Sequence, residues 1–396
     1  MWIKRDFETF LANLTPESVH PIKVLKGPRQ VGKTSLLEHL SRAQIILFDD
    51  FETRQKAQEN PRLFLEQFSG PLILDEATLV PVLFPELKRL VDEERRQAKK
   101  NQQLQKKIDI WITGSNQTLL ERSVQESLAG RASYFDLNTL SLHELGRLNL
   151  SEIMLKGGWP ELYTNTQLSP VRYLNDLIST FIEKDIVAAA GIQRKAAFTK
   201  TIGLVARRIG QLLNASDIAK NAGVETTTVQ SWIAKLEQNA LICTIPPYFN
   251  NLNQRLIKTP KIYFEDVGLA SRFQGWTEYG PLSKSTTFGH LIENLACIEI
   301  LRFFQNRGLV PEVFFIRSKE KIEVDFLIKL PNNRWLAVEV KNSPVNFTAQ
   351  QLKLLDQVKL NIIDRWVVSP KGNTNCISNC RSVFFESLHV ELAAIF

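Results

Sequence analysis

The sequence has little cysteine and no long apolar run, and each shortage excludes a class of protein. Its 396 residues include only four cysteines: Cys243, Cys297, Cys376 and Cys380. These are too few and too scattered for a disulfide framework, and no second ligand pair stands near the last two to complete a zinc site. No apolar run approaches the length of a membrane span, and residues 1–8 lack a signal-peptide core. We therefore expect reduced thiols, no membrane partner and a cytoplasmic location.

Length and composition indicate an ordinary globular protein with more than one domain. The hydrophobic share is 44% and the net charge is +7, with a pI near 9.1. This charge permits binding to a polyanion without requiring it. Residues 88–107 are especially basic, because eight lysines and arginines accompany only three acids. Such a run is typical of a solvated helix extension, which we favour over a nucleic-acid contact.

Residues 27–34 read Gly-Pro-Arg-Gln-Val-Gly-Lys-Thr, a complete G-x-x-x-x-G-K-[ST] phosphate-binding loop. A strand-like run precedes the loop and a helical pattern follows it, as the motif requires. Backbone N–H groups of such a loop turn towards phosphates, Lys33 adds positive charge, and the Thr34 hydroxyl can ligate Mg²⁺. The loop therefore predicts MgATP or MgGTP as the ligand. The residues predicted to hold it are Gly27, Pro28, Arg29, Gln30, Val31, Gly32, Lys33, Thr34 and Ser35.

An acidic motif predicts that this ligand is hydrolysed. Residues 71–76 form an apolar strand that ends in Asp75 and Glu76. In a parallel α/β sheet this end of a strand meets the nucleotide crevice. Asp75 would hold Mg²⁺ directly or through water, and Glu76 would polarise the attacking water as general base. Three polar residues at the end of the next strand could orient the water or the γ-phosphate: Thr113, Ser115 and Asn116. We favour Asn116, although it could equally cap the helix of residues 117–122.

The middle of the chain predicts a helix-turn-helix. Residues 216–233 give a short helix, a tight turn at Gly223 and a second helix, with apolar residues where the motif needs its small core. Residues 241–248 could form the strand of a wing. The second helix has no arginine or lysine before Lys235, so its attraction to phosphate is weak. DNA binding and a role as a spacer or protein contact both stay open.

From residue 288 the pattern predicts a helix, three strands, another helix and a further strand. This order resembles the core of the PD-(D/E)xK nuclease superfamily. Asp325 lies mid-strand, and Glu339 and Lys341 share one face of the next strand. Asp325, Glu339 and Glu293 are the predicted ligands of Mg²⁺ or Mn²⁺. Lys341 would orient water or stabilise phosphorane charge. Because a fold does not imply a function, the domain could instead only hold DNA or a partner.

The whole chain resembles the large prokaryotic family of predicted AAA+ ATPases, in which an archaeal-type AAA core precedes a C-terminal domain of unknown function. The stretches that carry the resemblance are 27–34, 74–76, 113–115, 127–131, 156–161, 246–252 and 261–269. Members usually have Ile-Gln after the second acid, where this chain has Ala77 and Thr78. The resemblance implies a catalytic role for Arg131, which lies where AAA+ ATPases often place an arginine finger. An ordinary surface arginine is the alternative.

These observations predict an α/β protein with three domains. They are an AAA+ ATP-binding core with a parallel sheet (1–150), a helical lid with a winged helix-turn-helix (151–282), and a restriction-endonuclease-like α/β domain (283–396). We expect an Mg²⁺-dependent ATPase that acts on DNA and whose last domain is a candidate nuclease. The alternative is a signalling or scaffold ATPase whose C-terminal domain binds a protein without cleavage. A homo-oligomer, the choice between ATP and GTP, and adenine contacts by Trp2, Ile3 or Arg5 stay open.

Overall fold

The computed structural model describes residues 2–15, 18–40, 43–101, 108–114, 117–146, 149–180, 187, 192–249, 259–343, 345–371, 376–377 and 379–396. These residues form two compact units. The N-terminal unit consists of residues 4–138 and 187, and the C-terminal unit of residues 2–3, 139–180 and 192–396. No helix in this part of the chain is long and apolar enough to cross a membrane.

The N-terminal unit is built on a parallel sheet. Its strands are β1 (Ile22–Lys26), β2 (Gln44–Leu47), β3 (Leu72–Asp75), β4 (Ile110–Thr113) and β5 (Ala132–Asp136). The five strands lie in the order β2-β3-β4-β1-β5 and every neighbouring pair is parallel. Leu72, Ile73 and Leu74 are at most 5% exposed, as expected for a parallel strand that is covered on both faces. This continuous apolar run is what made the strand recognisable in the sequence.

Helices surround this sheet, and polar residues set where several of them begin. They are α1 (Asp6–Ala12), α2 (Lys33–Leu40), α3 (Phe51–Glu59), α4 (Pro61–Glu66), α5 (Leu83–Asn101) and α6 (Gln117–Leu128). Asp50 caps α3 by accepting a hydrogen bond from the Thr53 N–H, and Asn60 caps α4 with Pro61 at its first turn. Phe64 of α4 and Leu87 of α5 share one core with the sheet.

The first part of the C-terminal unit is mostly helical. It contains α7 (Leu142–Leu145), α8 (Leu150–Lys156), α9 (Glu161–Thr164), α10 (Pro170–Thr180), α11 (Lys195–Ala206), α12 (Ala215–Ala222) and α13 (Thr226–Gln238), followed by the antiparallel strands β6 (Ile242–Ile245) and β7 (Lys261–Phe264). Asn214 caps α12, and Gly223 ends it with a φ of +75°. A residue without Cβ is favoured at this turn because a positive φ strains other side chains.

The remainder of this unit is an α/β domain. Its elements are α14 (Val267–Phe273), α15 (Tyr279–Ser283), α16 (Phe288–Gln305), β8 (Val313–Arg317), β9 (Glu323–Leu330), β10 (Arg334–Val340), α17 (Ala349–Gln357), β11 (Ile362–Ser369), β12 (Cys376–Ile377), β13 (Cys380–Phe384) and α18 (Phe385–Ile395). Strands β8, β9 and β10 form an antiparallel meander, and β11 pairs parallel to β10 after the crossover through α17. The predicted fold class is confirmed, since a parallel five-stranded sheet is joined to a C-terminal α/β domain.

Glycines let two segments of the C-terminal unit approach closely. A Cβ on Gly158 would lie 2.2 Å from the carbonyl oxygen of Leu140, and a Cβ on Gly268 would lie 2.2 Å from the Gly157 nitrogen. Asp266, which is 2% exposed, accepts a hydrogen bond of 2.8 Å from the Gly158 N–H. Residues 156–161 and 261–269, two of the stretches that carry the family resemblance, therefore pack against each other.

Candidate functional site

The phosphate-binding loop leaves β1 at the carboxyl edge of the parallel sheet and enters α2. Gly27, Gln30 and Gly32 have φ angles of +145°, +60° and +88°. Gly27 also has no room for a side chain, because its Cβ would lie 2.1 Å from the carbonyl oxygen of Leu137. These left-handed positions turn the backbone sharply just before α2, as the cradle for an anion at a helix N-terminus requires.

Lys33 is folded onto the loop that it follows. Its ammonium donates hydrogen bonds to the carbonyl oxygens of Gly27 at 2.9 Å and Pro28 at 2.8 Å, and the residue is 8% exposed. The positive charge is therefore already held inside the loop. A bound nucleotide would exchange these carbonyl oxygens for phosphate oxygens.

Arg5, the residue just before α1, supports the loop through a contact that no sequence pattern indicated. Its guanidinium donates to the Val31 carbonyl at 3.0 Å and to the Asn138 carbonyl at 2.6 Å, and the residue is 4% exposed. The structure thus places Arg5, considered above for an adenine contact, against the backbone of the phosphate loop. Trp2 and Ile3, the other two candidates for that contact, lie in the C-terminal unit.

The two acids of β3 are linked to the loop and to β4 by hydroxyl groups. Asp75 Oδ1 accepts hydrogen bonds of 2.6 Å from both the Thr34 and the Thr113 hydroxyl. The Thr113 oxygen in turn accepts a bond of 3.3 Å from the Glu76 N–H, and Glu76 has a left-handed φ of +54°. Of the three polar residues predicted at the end of β4, Thr113 makes this contact, whereas Ser115 and the favoured Asn116 lie outside the described residues.

The oxygen donors at this edge of the sheet suit Mg²⁺. The Thr34 hydroxyl and the Asp75 carboxylate are in direct contact, and hard oxygen ligands from one or two side chains are what Mg²⁺ takes when phosphates supply the rest. Loop, lysine and acids thus converge where the sequence predicted a nucleotide site.

Arg131 lies at the opposite edge of the same sheet. In the register of β1 and β5, Ile22 pairs with Ala132 and Lys26 with Asp136, so Arg131 precedes the strand while the loop follows it. Its guanidinium binds both oxygens of Asp92 on α5, at 2.7 and 2.9 Å. This bidentate bond lowers the pKa of Asp92. The arginine is thus engaged within its own unit, and a role towards a neighbouring subunit stays a prediction.

The basic stretch of residues 88–107 continues α5 as far as Asn101, and residues 102–107 lie outside the described part. Arg89 pairs with Glu86 at 2.7 Å and with Glu93 at 2.8 Å. Arg95 donates to the carbonyl of Gly130. These contacts within the helix and its surroundings agree with the solvated-helix interpretation.

Strands β9 and β10 bring together the carboxylates and the lysine that were predicted for the C-terminal domain. Asp325 Oδ2 accepts a bond of 2.9 Å from the Val340 N–H, and Glu339 Oε2 lies 3.4 Å from the Asp325 nitrogen. The Lys341 ammonium lies 2.5 Å from Glu339 Oε1. Asp325 and Glu339 are 7% and 4% exposed. The three residues therefore form one connected group at this position of the sheet.

Glu293 of α16 joins this group through a residue that sequence reasoning missed. Lys261 of β7 is completely buried, and its ammonium lies 2.8 Å from Glu293, 2.5 Å from Glu323 and 3.6 Å from Asp325. The Tyr263 hydroxyl also donates to Glu293, at 2.6 Å. A lysine beside a fully apolar strand segment was the one signal in the sequence that could have indicated a buried charge.

Burial and mutual repulsion raise the pKa values of the acids in this group. Burial, with the nearby Asp325 charge, raises the pKa of Glu293 to about 7, and the same causes raise the pKa of Glu339 to about 8. Burial lowers the pKa of Lys261, but Glu293, Asp325 and Glu323 outweigh it and leave the pKa above its ordinary value. The lysine therefore stays charged.

This arrangement does not fit the divalent metal ion that a nuclease-like core implies. The oxygens of Asp325 face Lys261 and the Val340 N–H, and those of Glu339 face Lys341 and the Asp325 N–H. A metal ion would have to displace an ammonium that is already held by three carboxylates. The predicted ligands are thus adjacent, but the oxygens of Asp325 and Glu339 already have partners.

The exposed positions of α13 are uncharged and mostly polar. Among the described residues they are Thr227, Gln230, Ser231, Ala234 and Gln238. Lys235 is half-buried. A helix that enters a DNA groove usually gains much of its affinity from phosphate contacts by lysine and arginine, and none of these exposed positions is a lysine or an arginine.

Three stretches of the chain match models of known protein families. Residues 19–146 match the AAA domain, residues 147–279 match a domain of unknown function (DUF8612), and residues 288–383 match another domain of unknown function (DUF4143). The first match coincides with the sheet, the phosphate loop and the acid pair. The last two carry no activity with them.

Similar proteins occur in distant bacteria. An uncharacterized protein of Mycobacterium tuberculosis is 28% identical over 327 residues, which are 82% of this chain and 70% of that protein. An uncharacterized protein of Haemophilus influenzae is 26% identical over 344 residues, 78% of this chain and 79% of that protein.

Two solved structures also resemble the chain, at low scores. The Walker-type ATPase PABY2304 of Pyrococcus abyssi is 16% identical with a TM-score of 0.39, and covers 68% of this chain and 93% of its own. The ORC2 protein of Aeropyrum pernix, in ADPNP-ADP complexes, is 12% identical with a TM-score of 0.32, and covers 61% and 86%.

The N-terminal unit thus has the sheet, the loop and the family match of a P-loop ATPase of the AAA type. The AAA part of the predicted family resemblance is confirmed by the match to residues 19–146. The match to residues 288–383 names no nuclease, so the nuclease-like part of that resemblance stays a prediction.

Proposed function

We propose that the protein is an Mg²⁺-dependent ATPase of the AAA type whose C-terminal unit binds a macromolecule. The observation that carries the proposal is the shared contact of Thr34 and Thr113 with one oxygen of Asp75. It connects the phosphate loop, the acid pair and the tip of β4 in one hydrogen-bonded group. Catalysis of phosphoryl transfer mainly requires that the reacting groups be positioned and that the charge of the phosphates be stabilised, and this group of residues is suited to both.

Each residue of this group has a distinct role in the proposed reaction. Lys33 would leave the carbonyls of Gly27 and Pro28 and bind phosphate oxygens, which neutralises their charge. Glu76 would accept the proton of the attacking water. Thr113 would hold Glu76 and Asp75 in register through its hydroxyl. Thr34 and Asp75 would hold Mg²⁺ when nucleotide is bound, and the ion would supply positive charge that stabilises the phosphates.

For the C-terminal unit we propose binding without cleavage, with DNA as the first candidate partner and a protein as the second. The exposed polar side chains of α13 support DNA. The order of α12, α13 and the antiparallel pair β6 and β7, which is the order expected of a winged helix, also supports it. The filled carboxylate group around Lys261 speaks against phosphodiester hydrolysis. ATP binding and hydrolysis would alternate the conformations that engage this partner, with a homo-oligomer as one way to organise them.

The general base is tested by Glu76→Gln, with Glu38→Gln as the matched control on the exposed face of α2. Glu76→Gln should bind ATP with near wild-type affinity and lose at least about 100-fold in steady-state turnover, because the amide cannot accept the proton. Glu38→Gln should keep both binding and turnover. Nucleotide binding is measured with a fluorescent ATP analogue and turnover by phosphate release.

Wild-type turnover in Glu76→Gln would contradict the assignment of the base. Loss of nucleotide binding in the same variant would instead assign Glu76 to the binding site. Absence of ATP hydrolysis by the wild-type chain in the presence of Mg²⁺, with and without DNA, would overturn the proposed activity as a whole.

A further inference from the structure

A lysine ammonium lies at the centre of the carboxylate group in the C-terminal unit. Lys261 has no exposed surface, and carboxylates from two elements converge on its one nitrogen: Glu293 from α16, and Glu323 and Asp325 from β9. Convergence of oxygens from separate elements on one buried point is the geometry that hard metal ions take in proteins. Here a side chain of the protein supplies the positive charge.

We infer that Lys261 takes the place of the divalent cation in the nuclease-like domain, so that this site carries its own charge and binds no metal ion. The inference is independent of the proposed ATPase activity, because no residue of the nucleotide site takes part. It identifies Lys261 as the residue that determines which cation the carboxylates accept.

The backbone around Lys261 is held so that the ammonium stays in place. The Asn294 side chain accepts a hydrogen bond of 2.7 Å from the Phe264 N–H and donates one of 3.0 Å to the Phe264 carbonyl. Lys261 itself pairs with Ile245 in the hairpin and with Leu212 across a further bridge. These contacts fix β7 at both of its ends and so hold the Cα of Lys261 in place, from which the side chain reaches the three carboxylates.

Charge balance explains why an added metal ion would be disfavoured. The acids of the group contact three cations, which are Lys261, Lys341 and Arg317, the last at 2.8 Å from Glu323. Because the pKa values of Glu293 and Glu339 are raised to about 7 and about 8, these cations roughly match the charge of the acids near neutral pH without a metal ion. A divalent ion that displaced Lys261 would leave a buried ammonium without partners, which is strongly unfavourable. Removal of the ammonium, by contrast, would leave the carboxylates short of positive charge and open their oxygens to a metal ion.

The test measures Mn²⁺ binding to the full-length chain without nucleotide, by electron paramagnetic resonance of free Mn²⁺. All samples carry Asp75→Asn, which removes the acid of the nucleotide site. The chain with Lys261 intact should bind no Mn²⁺ at micromolar concentrations, and Lys261→Met should gain about one ion per chain. Adding Asp325→Asn to Lys261→Met should remove that ion. Lys329→Met is the matched control, since Lys329 on β9 forms a partly exposed pair with Glu312.

Each outcome decides the inference. A Mn²⁺ ion that binds with Lys261 intact and is lost in Asp325→Asn would overturn it, and this comparison does not require the Lys261 variant to fold. A folded Lys261→Met chain that gains no ion would also overturn it, because the position would then not be one for a cation. Gain of an ion in Lys329→Met would show that loss of any lysine in the domain suffices, which contradicts the role of Lys261.

Discussion

At the scale of single residues, buried charges dominate the C-terminal unit, and Arg302 and Glu299 on α16 show how they are stabilised. Arg302 is 2% exposed and donates to the Leu140 carbonyl at 2.8 Å, to Glu299 at 3.2 Å and to the Thr139 hydroxyl. Glu299 also accepts a bond of 3.0 Å from the Leu142 N–H. The two terminal nitrogens of Arg302 and both oxygens of Glu299 thus have partners, and such hydrogen bonds are what allow charges inside a protein.

Glu299 predicts a pH dependence of stability. Burial raises its pKa from the ordinary 4.5 to about 7, although Arg302 lowers it. The folded chain therefore binds a proton at Glu299 more tightly than the unfolded chain does. The stability that this proton confers is complete below about pH 4.5 and is lost as the pH rises to about 7. Glu299→Gln should show a smaller fall of its urea unfolding midpoint across this range than the wild type.

The matched control for this measurement is Glu278→Gln, because Glu278 is exposed. It should retain the pH dependence of the wild type. Equal slopes for wild type and Glu299→Gln between these pH values would contradict the raised pKa of Glu299.

At the scale of elements, close approach between segments depends on particular glycines. Gly268 on α14 presses against the Gly157 backbone, whereas nothing lies within 4 Å of a Cβ on Gly289 of α16. Gly268→Ala should therefore lower the free energy of unfolding by about 2 kcal/mol or more, since a rigid backbone must move. Gly289→Ala should raise it by about 0.5–1 kcal/mol, because alanine loses less entropy in a helix.

The two alanine variants are compared by urea denaturation under identical conditions. The difference between them isolates the contact, because both changes place the same methyl group in a helix. Similar unfolding free energies for the two variants would mean that α14 does not pack on Gly157 as described.

The bond between α5 and β5 is a second prediction at this scale. If Asp92 and Arg131 act as a structural pair, Asp92→Ala and Arg131→Ala should lower the thermal midpoint by similar amounts. The double variant should lose little more, because either single change already removes the bond. Thermal midpoints and ATP turnover are measured for all three variants.

A different pattern would indicate an arginine finger. In that case ATP turnover falls in Arg131→Ala but not in Asp92→Ala, because the latter variant keeps the Arg131 guanidinium and releases it from Asp92. Mixing Arg131→Ala with Glu76→Gln chains would then restore turnover, since each chain supplies the residue that the other lacks.

At the scale of the whole molecule, the open question is which partner responds to the ATPase. If the partner is DNA, double-stranded DNA should increase steady-state ATP turnover several-fold at low salt, and the increase should decline as salt is raised. Replacing both Thr227 and Gln230 with glutamate should abolish the increase, because these exposed positions on α13 would repel phosphate. Gln238→Glu, near the end of the same helix, is the matched control.

Turnover that is indifferent to DNA would favour the protein-binding alternative. The same conclusion would follow if the glutamate pair and its control behaved alike, since the effect of DNA would then not pass through α13.

The grouping of the residues proposed for the nucleotide site could be predicted from the sequence, because they are close neighbours along the chain or lie at the ends of adjacent parallel strands. The loop of residues 27–34, Asp75 and Thr113 needed only the rule that parallel strands end at one edge of a sheet. Arg5 could not be predicted in the same way. Its contact with Val31 joins segments of the chain whose spacing follows no motif.

In the C-terminal domain, too, some features could be predicted from the sequence and others could not. The order of its elements and the proximity of Asp325, Glu339 and Lys341 follow from strand alternation and from the short connection between β9 and β10. The position of Lys261 does not, because it depends on how β7 packs against α16 and β9. The predicted metal ligands are thus adjacent, as expected, while the ammonium that lies among them belongs to Lys261, which is distant in the sequence.

The phosphate loop, the acid pair that predicts hydrolysis and the α/β character of both ends of the chain follow from the amino-acid order alone, because each rests on local periodicity or on a motif with fixed spacing. Which cation the C-terminal carboxylates hold depends on the folded chain. Lys261 and Asp325 are far apart in sequence, and the charge between them became visible only when folding had buried both at one point.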